Sequence, residues 1–331
     1  MHMIDLMGLL LYFAILLYIG YRSAKKTSSS ADFAVAGNKI IWPVLFATLA
    51  ASFLGGGASM GRAGNAFDEG IATIIAGLYI APRLKRYAGA QTVGDIMAHH
   101  YGRSARLLTG IFSLIFCVGI LGAQALAIGT VFNAILGIEI STGILIGMAV
   151  VLVYSTAGGM WAVIQTDVVQ FVMLAVFLPI TMIVGLDKIG GPDALIAALP
   201  TEHFSIMGDY TPLMFISIFI AFLLGETLVP PYTQRALSAP DSRHAKIGYS
   251  LAGGFGLLFY AVSSTIGLIA LVLYPQISPD QAMPELIRDA LPLGLTGLVL
   301  ASLLAVVMST ADSYLNSAAV IFVTDIYKPF I

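Results

Sequence analysis

The sequence predicts an all-α polytopic membrane protein in which two spanning helices are broken partway. Three observations carry this. Hydrophobic residues make up 58% of the 331 positions and charged residues only 10%, where a soluble domain carries about 25% charged residues. The apolar residues gather into nine runs: 4–20, 40–66, 71–82, 107–136, 142–156, 162–186, 212–230, 248–274 and 291–324. Two of these runs are interrupted, the second by Gly55-Gly56-Gly57 and the seventh by Gly225-Glu226-Thr227 followed by Pro230-Pro231. A membrane helix tolerates a break only where the freed backbone groups find partners in protein, water, an ion or a ligand. Paired interruptions in two halves of a chain point to a transporter's binding site.

Taken in order, the first run is followed by Tyr21-Arg22 and Lys25-Lys26 rather than by a small-residue cleavage site, so it reads as a retained helix. Spanning needs about 20 apolar residues. The third run, Ile71 to Pro82, is shorter than that and reads as re-entrant or curtailed. The other runs are long enough to cross, several with tilt. Between the sixth and seventh, Asp193 to Leu199 reads as a short surface helix, and the Pro-containing stretch 275–290 is similar. Cys117 is the single cysteine and lies in an apolar run, which leaves no disulfide framework and suits a small buried hydrophobe. His99-His100 follow a basic loop and read as a solvated pair.

Orientation follows from Lys and Arg. With the N-terminus outside, the inner segments hold Arg22, Lys25, Lys26, Lys39, Arg83, Lys85, Arg86, Arg103, Arg106, Arg235, Arg243, Lys246 and Lys328. The outer loops hold Lys188 and Arg288, with Arg62 at the outer end of the second run. Thirteen against two requires the third run to cross, and it sets nine crossings with a cytoplasmic C-terminus.

Ionisable residues inside a membrane are costly and need a partner or a function. Three stand out: Asp167 near the start of the sixth run, Glu226 at the second break, and Asp312 in the ninth run. Around Asp312 crowd Ser309, Thr310, Ser313, Asn316 and Ser317, with Ser309, Asp312 and Asn316 near one helix face. Hydroxyl, carboxylate and carbonyl oxygens suit a hard cation such as Na+, and unwound helices supply such carbonyls. Blander roles stand beside this one: helix packing for Ser309, Thr310 and the glycine triplet, a structural carboxylate at Glu226, and wetting from the cytoplasm for Asp167.

These residues resemble the sodium:solute symporter family, which includes bacterial proline, sialic acid and galactose transporters and their animal glucose relatives. The resemblance rests on Phe33-Ala-Val-Ala-Gly37, Met60-Gly61-Arg62-Ala63-Gly64, Gly158-Gly159-Met160-Trp161 with Thr166-Asp167-Val168-Val169-Gln170, Gln234-Arg235-Ala236-Leu237, and Met308-Ser309-Thr310-Ala311-Asp312-Ser313 running to Asp325-Ile326-Tyr327-Lys328. It implies an inverted-repeat, LeuT-like bundle of five plus five helices behind one extra N-terminal helix. Residues 1–22 would be the extra helix, 40–186 the first repeat, and 212–326 part of a second repeat that is expected to be incomplete. The family's Na+ site, carried over, takes carbonyls from Ala51, Leu54 and Val306 and hydroxyls from Ser309 and Thr310. Asp167, Asp312 and Ser313 match a second position for Na+ or a shared proton. Phe53, Gly55, Gly56, Ala58, Phe222, Gly225 and Glu226 match the solute-binding positions. Phe53 stands where sugar carriers have asparagine, and Glu226 favours a solute with a cationic group.

The function expected is symport of a small organic solute with Na+ as the coupling ion, in a plasma membrane (the inner membrane in a bacterium). The lipid bilayer and the solute are the expected partners, with no nucleic acid, and oligomeric state is left open. A channel would carry a repeated filter or rings of like residues, and a membrane hydrolase would need a base for Ser309. The apolar runs supply neither.

Overall fold

The computed structural model describes residues 3–53, 63–87, 89–204, 210–225, 228–276, 285–287, 289 and 295–330. Every regular element among them is helical. The main helices are α1 (Met3–Ala24), α2 (Ser30–Val35), α3 (Trp42–Phe53), α4 (Ala63–Tyr79), α5 (Ala81–Leu84), α6 (Val93–Tyr101), α7 (Arg103–Leu136), α8 (Ile140–Ile189), α9 (Pro192–Ala198), α10 (Pro212–Gly225), α11 (Pro230–Ser238), α12 (Ser242–Leu273) and α13 (Leu295–Ile321). The glycine triplet, Glu226, Thr227 and most of the stretch 275–290 lie outside the described residues.

The centre of the bundle is α13, which is buried along nearly its whole length and packs on α1, α3, α7, α8 and α11. Leu16, Ile128, Val151, Leu174, Ile266 and Leu304 belong to the apolar core that α1, α7, α8, α12 and α13 share. Large apolar side chains such as Leu10, Phe112, Leu145, Leu213 and Leu258 face outward, as a lipid solvent permits and water would not.

Ile140–Ile189 forms two helical arms that meet at a kink at Gly159, where φ is +54° and ψ −143°. The two arms, 140–158 and 160–189, match the fifth and sixth apolar runs. An alanine Cβ at Gly159 would lie 2.5 Å from the Phe33 ring, so α2 seats in the turn only because Gly159 has no side chain. Gly159→Ala is expected to lower stability by at least about 2 kcal/mol, combining backbone strain with overpacking. Thermal unfolding checks this, and adding Phe33→Ala should recover only the part due to the ring, because the Phe33 carbonyl oxygen would still lie 2.9 Å from the new Cβ.

Several sequence expectations need correction. Residues 63–66, assigned to the end of the second run, belong to the same helix as the third run, α4. The third element is therefore a 17-residue helix followed by the short α5, not a 12-residue fragment. Asn65, Asp68 and Glu69 interrupt the apolar run, but backbone hydrogen bonding continues through them. The stretch 83–106, read as a loop, contains α6, held by a capping box between Thr92 and Asp95. Arg235 does not belong in the tally of loop cations because it is fully buried, leaving twelve against two. By length and hydropathy, five described helices suffice to cross a membrane, or seven with each bent pair counted as one span. The fifty-residue α8 counts once there although it divides at Gly159.

At the end of α13 a π-helical turn, Phe322–Tyr327, carries the buried Asp325. Thr92 Oγ1 donates to Asp325 at 2.8 Å, and Arg106 lies 3.9 Å away while also pairing with Asp95. This network fastens α6 and α7 to α13. Cys117 is buried against Tyr314, Ala318 and Ile321. His99 and His100 are exposed, with His100 Nε2 2.8 Å from the Tyr87 hydroxyl.

Candidate functional site

The polar run of α13 meets α3 and the lower arm of α8 in one buried cluster, and a fourth helix, α11, completes it. Thr48 and Ser52, four residues apart, put two hydroxyls on one face of α3. Asp167 comes from α8 and is fully buried, so it is not wetted from an interface. Its Oδ1 accepts from Ser309 Oγ at 2.6 Å. Its Oδ2 accepts from Thr48 Oγ1 and, at 2.7 Å, from Arg235 Nη2.

Local sequence explains how Arg235 reaches this point. Pro230 and Pro231 start α11, where a proline's missing N–H costs nothing. The carbonyls at the other end of α11 are capped from outside: Asn38 Nδ2 and Lys85 Nζ donate to Leu237 O at 2.5 and 2.8 Å, and Ile40 N donates to Ser238 O at 3.0 Å. Gln234 donates to Ala34 O at 3.4 Å and accepts from Ser317. Every residue of α11 is buried. With the helix fixed at both ends, the guanidinium fans across the cluster. Arg235 Nε donates to Thr48 Oγ1 at 2.8 Å, and Nη2 reaches Ser52 Oγ at 2.8 Å and Ser313 Oγ at 2.6 Å as well as Asp167.

Asp312, also fully buried, turns to the other side. It accepts from Tyr154 OH at 2.6 Å, Ser313 Oγ at 3.2 Å and Thr166 Oγ1 at 3.4 Å. Tyr154→Phe is expected to cost about 1.5–3 kcal/mol, the range for a hydrogen bond to a charged group, read as a lowered unfolding midpoint. Behind it, Gln170 Nε2 donates to Tyr12 OH at 3.0 Å, which brings α1 against the site.

Thr310 Oγ1 donates to Val306 O at 3.3 Å and to Ser52 O at 3.5 Å, so the last turn of α3 lies against the hydroxyl pair of α13. Ala51 and Val306 are buried there, and Leu54 lies outside the described residues. Four of the five residues expected to hold Na+ are thus in contacting helices. Asp167 and Ser313 are joined through Arg235, whereas Asp312 faces Tyr154 and Thr166.

The solute-binding positions fare differently. Phe53 is the last residue of α3, and Gly55, Gly56, Ala58 and Glu226 lie outside the described residues. Phe222 is half-buried and Gly225 exposed near the end of α10, which packs on α4 and buries none of its described side chains.

Counted with both carboxylates ionised, two aspartates against one arginine leave the buried cluster a formal charge of −1 among the described residues. A buried excess charge of this kind is expensive unless a cation or a proton offsets it. Apart from the Arg235 guanidinium, the polar side-chain atoms that line the two carboxylates are oxygens, which suit a hard monovalent cation.

Sequence reasoning missed Arg235, Thr48, Ser52, Tyr154 and Thr166. The signal for Arg235 was present: two intramembrane carboxylates need a cation, and Arg235 lies one helical turn beyond Pro231.

Comparison with known proteins converges on one family. The family model described as Sodium:solute symporter family matches residues 33–331. The chain is 28% identical to the high-affinity proline transporter PutP of Bacillus subtilis, over 95% of this chain and 72% of that protein. It is 29% identical to the sodium/glucose cotransporter of Vibrio parahaemolyticus, over 99% and 69%. It is 26% identical to sodium/glucose cotransporter 4 of Danio rerio, over 98% of this chain and 58% of the relative. In three dimensions it matches a Na+-coupled sialic acid symporter solved in a substrate-bound outward-open state, with a TM-score of 0.85 at 19% identity, covering 98% of this chain and 75% of the other.

Proposed function

Because the chain belongs to the sodium:solute symporter family, we propose that it couples uptake of a small organic solute to inward movement of Na+ by alternating access. It is a multi-pass membrane transporter with a LeuT-like fold, and not an enzyme. The observation that carries the sodium reading is the oxygen-rich cluster between α3, α8 and α13, in which two carboxylates face one arginine.

Na+ would be held by the carbonyls of Ala51, Leu54 and Val306 and the hydroxyls of Ser309 and Thr310. Those groups come from α3 and α13, so an ion there joins the first broken helix to the core of the second half. Asp167 accepts a hydrogen bond from Ser309 and adds negative charge beside the ion. Asp312 and Ser313 supply further oxygens for a second cation or a proton. To hold the outward-open state, Na+ must bind it more tightly than the inward-open one. The N-terminus lies outside and the C-terminus in the cytoplasm, in line with the twelve-to-two distribution of cations. Residues 40–186 form the first repeat and 212–326 part of the second. The solute is bound by the residues at the two breaks, Phe53, Gly55, Gly56, Ala58, Phe222, Gly225 and Glu226. The carboxylate of Glu226 favours a solute with a cationic group, such as an amino acid.

The test is uptake by purified protein in liposomes across a panel of amino acids and other charged metabolites. An inward Na+ gradient should accelerate uptake of at least one of them well above the rate with choline in place of Na+. Equal rates with and without Na+ would refute symport.

A further inference from the structure

Ala36, Gly37 and Asn38, which follow α2 directly, are left-handed in succession, with φ of +48°, +61° and +58°. Glycine takes this region freely, whereas a Cβ makes it costly. Among the described residues, Ala36 and Asn38 are the residues other than glycine that adopt it. Both sides of the turn are anchored. On one side Phe33 of α2 seats in the kink of α8 at Gly159. On the other, Asn38 Nδ2 donates to Leu237 O at 2.5 Å and Ile40 N to Ser238 O at 3.0 Å, both at the end of α11. Gln234 of α11 donates to Ala34 O at 3.4 Å and accepts from Ser317 of α13. Backbone strain of this kind persists only where the surroundings over-determine it.

We infer that residues 33–40 form a strained clasp on the cytoplasmic face, which ties α8 to α11 while that face is closed and relaxes when it opens. The inference rests on the alternating-access reading above and adds how the inner side lets go. α11 cannot part from α8 and α13 unless the clasp loses one of its two anchors. With one anchor gone, nothing holds Ala36 and Asn38 left-handed, and they return to the right-handed side of the map. The strain released offsets part of the cost of the bonds broken. The inner face is thereby held shut without being locked. The same device explains why Phe33-Ala-Val-Ala-Gly37 stands out in the sequence although none of its residues reaches the polar cluster.

The test reads opening with a thiol at Ser317, which is fully buried and donates to Gln234. Every protein compared carries Cys117→Ala and Ser317→Cys, and this pair is the parent. The rate of reaction with a water-soluble maleimide is measured on purified protein in detergent, in choline chloride without Na+. When opening and closing outpace the reaction, the rate follows the open population. Ala36→Gly relieves strain in the closed state alone and is expected to slow labelling by about threefold or more. Asn38→Asp keeps a residue type that tolerates the left-handed region but loses the donor to Leu237 O, so it should speed labelling by a similar factor. If the turn were only a static piece of the fold, Ala36→Gly would label at the parent rate. That result, or a faster rate, would overturn the clasp and leave alternating access intact. Failure of Ala36→Gly to fold would also overturn it, because relief of strain cannot unfold the protein. If Asn38→Asp does not fold, Ala36→Gly decides alone. A parent that is never labelled would overturn the clasp and alternating access together.

Discussion

Replacing Arg235 with methionine is expected to destabilise the protein at low Na+ by about 3–5 kcal/mol, the range for breaking a buried ion pair. Methionine keeps much of the length and none of the charge. The substitution leaves Asp167 and Asp312 buried together with no cation between them, and it strips a donor from Thr48, Ser52 and Ser313. Asp167→Asn should cost less, roughly 1–3 kcal/mol for donors left poorly matched. It leaves Arg235 and Asp312 in one network of zero net charge, linked by Ser313. The order of the two effects is therefore the informative quantity. Unfolding in detergent at low Na+ measures it, and a larger loss for Asp167→Asn would contradict the charge count. The two sites are in contact, so their effects should not add, and a double-mutant cycle reports the coupling.

The second large effect is on transport. Ser309→Ala with Thr310→Ala removes both hydroxyls from the sodium position while leaving the backbone of α13 free to form. Each lost polar partner is worth about 1–3 kcal/mol in a buried site, and 1.4 kcal/mol is a factor of ten. The Na+ concentration giving half-maximal uptake should rise by at least about tenfold. Ser309→Ala alone also removes a donor from Asp167, so it should have more effect than Thr310→Ala. Thr310 gives its hydrogen to nearby carbonyls at 3.3 and 3.5 Å. Na+ titrations of solute uptake in proteoliposomes separate these cases.

Much of the architecture is legible in the sequence because lipid imposes a simple rule: about 20 apolar residues per crossing. The two arms of α8 follow from the apolar runs on either side of Gly158-Gly159, and α9 follows from Gly190-Gly191-Pro192. The start of α4 was not legible, because Asn65, Asp68 and Glu69 look like a loop when only apolar runs are counted. Helix α6 was hidden for the same reason, its nine residues being largely polar or small.

Within the site, Asp167, Ser309, Thr310, Asp312 and Ser313 were legible as costly polar groups in apolar surroundings. Thr48 and Ser52 were not, since single hydroxyls in an apolar helix are ordinary packing residues. Arg235 was misread because charge alone assigns an arginine near a helix end to a loop. Its partner lies 68 positions away, and only the packing of α11 against α3 and α13 shows that it turns inward.

Sodium binding by the purified protein, measured with radiolabelled Na+ at equilibrium, addresses the sodium site most directly. The native protein should bind Na+ saturably, and Ser309→Ala/Thr310→Ala should lose that binding while remaining folded. Undiminished binding in the variant would contradict the assignment of Na+ to the junction of α3 and α13.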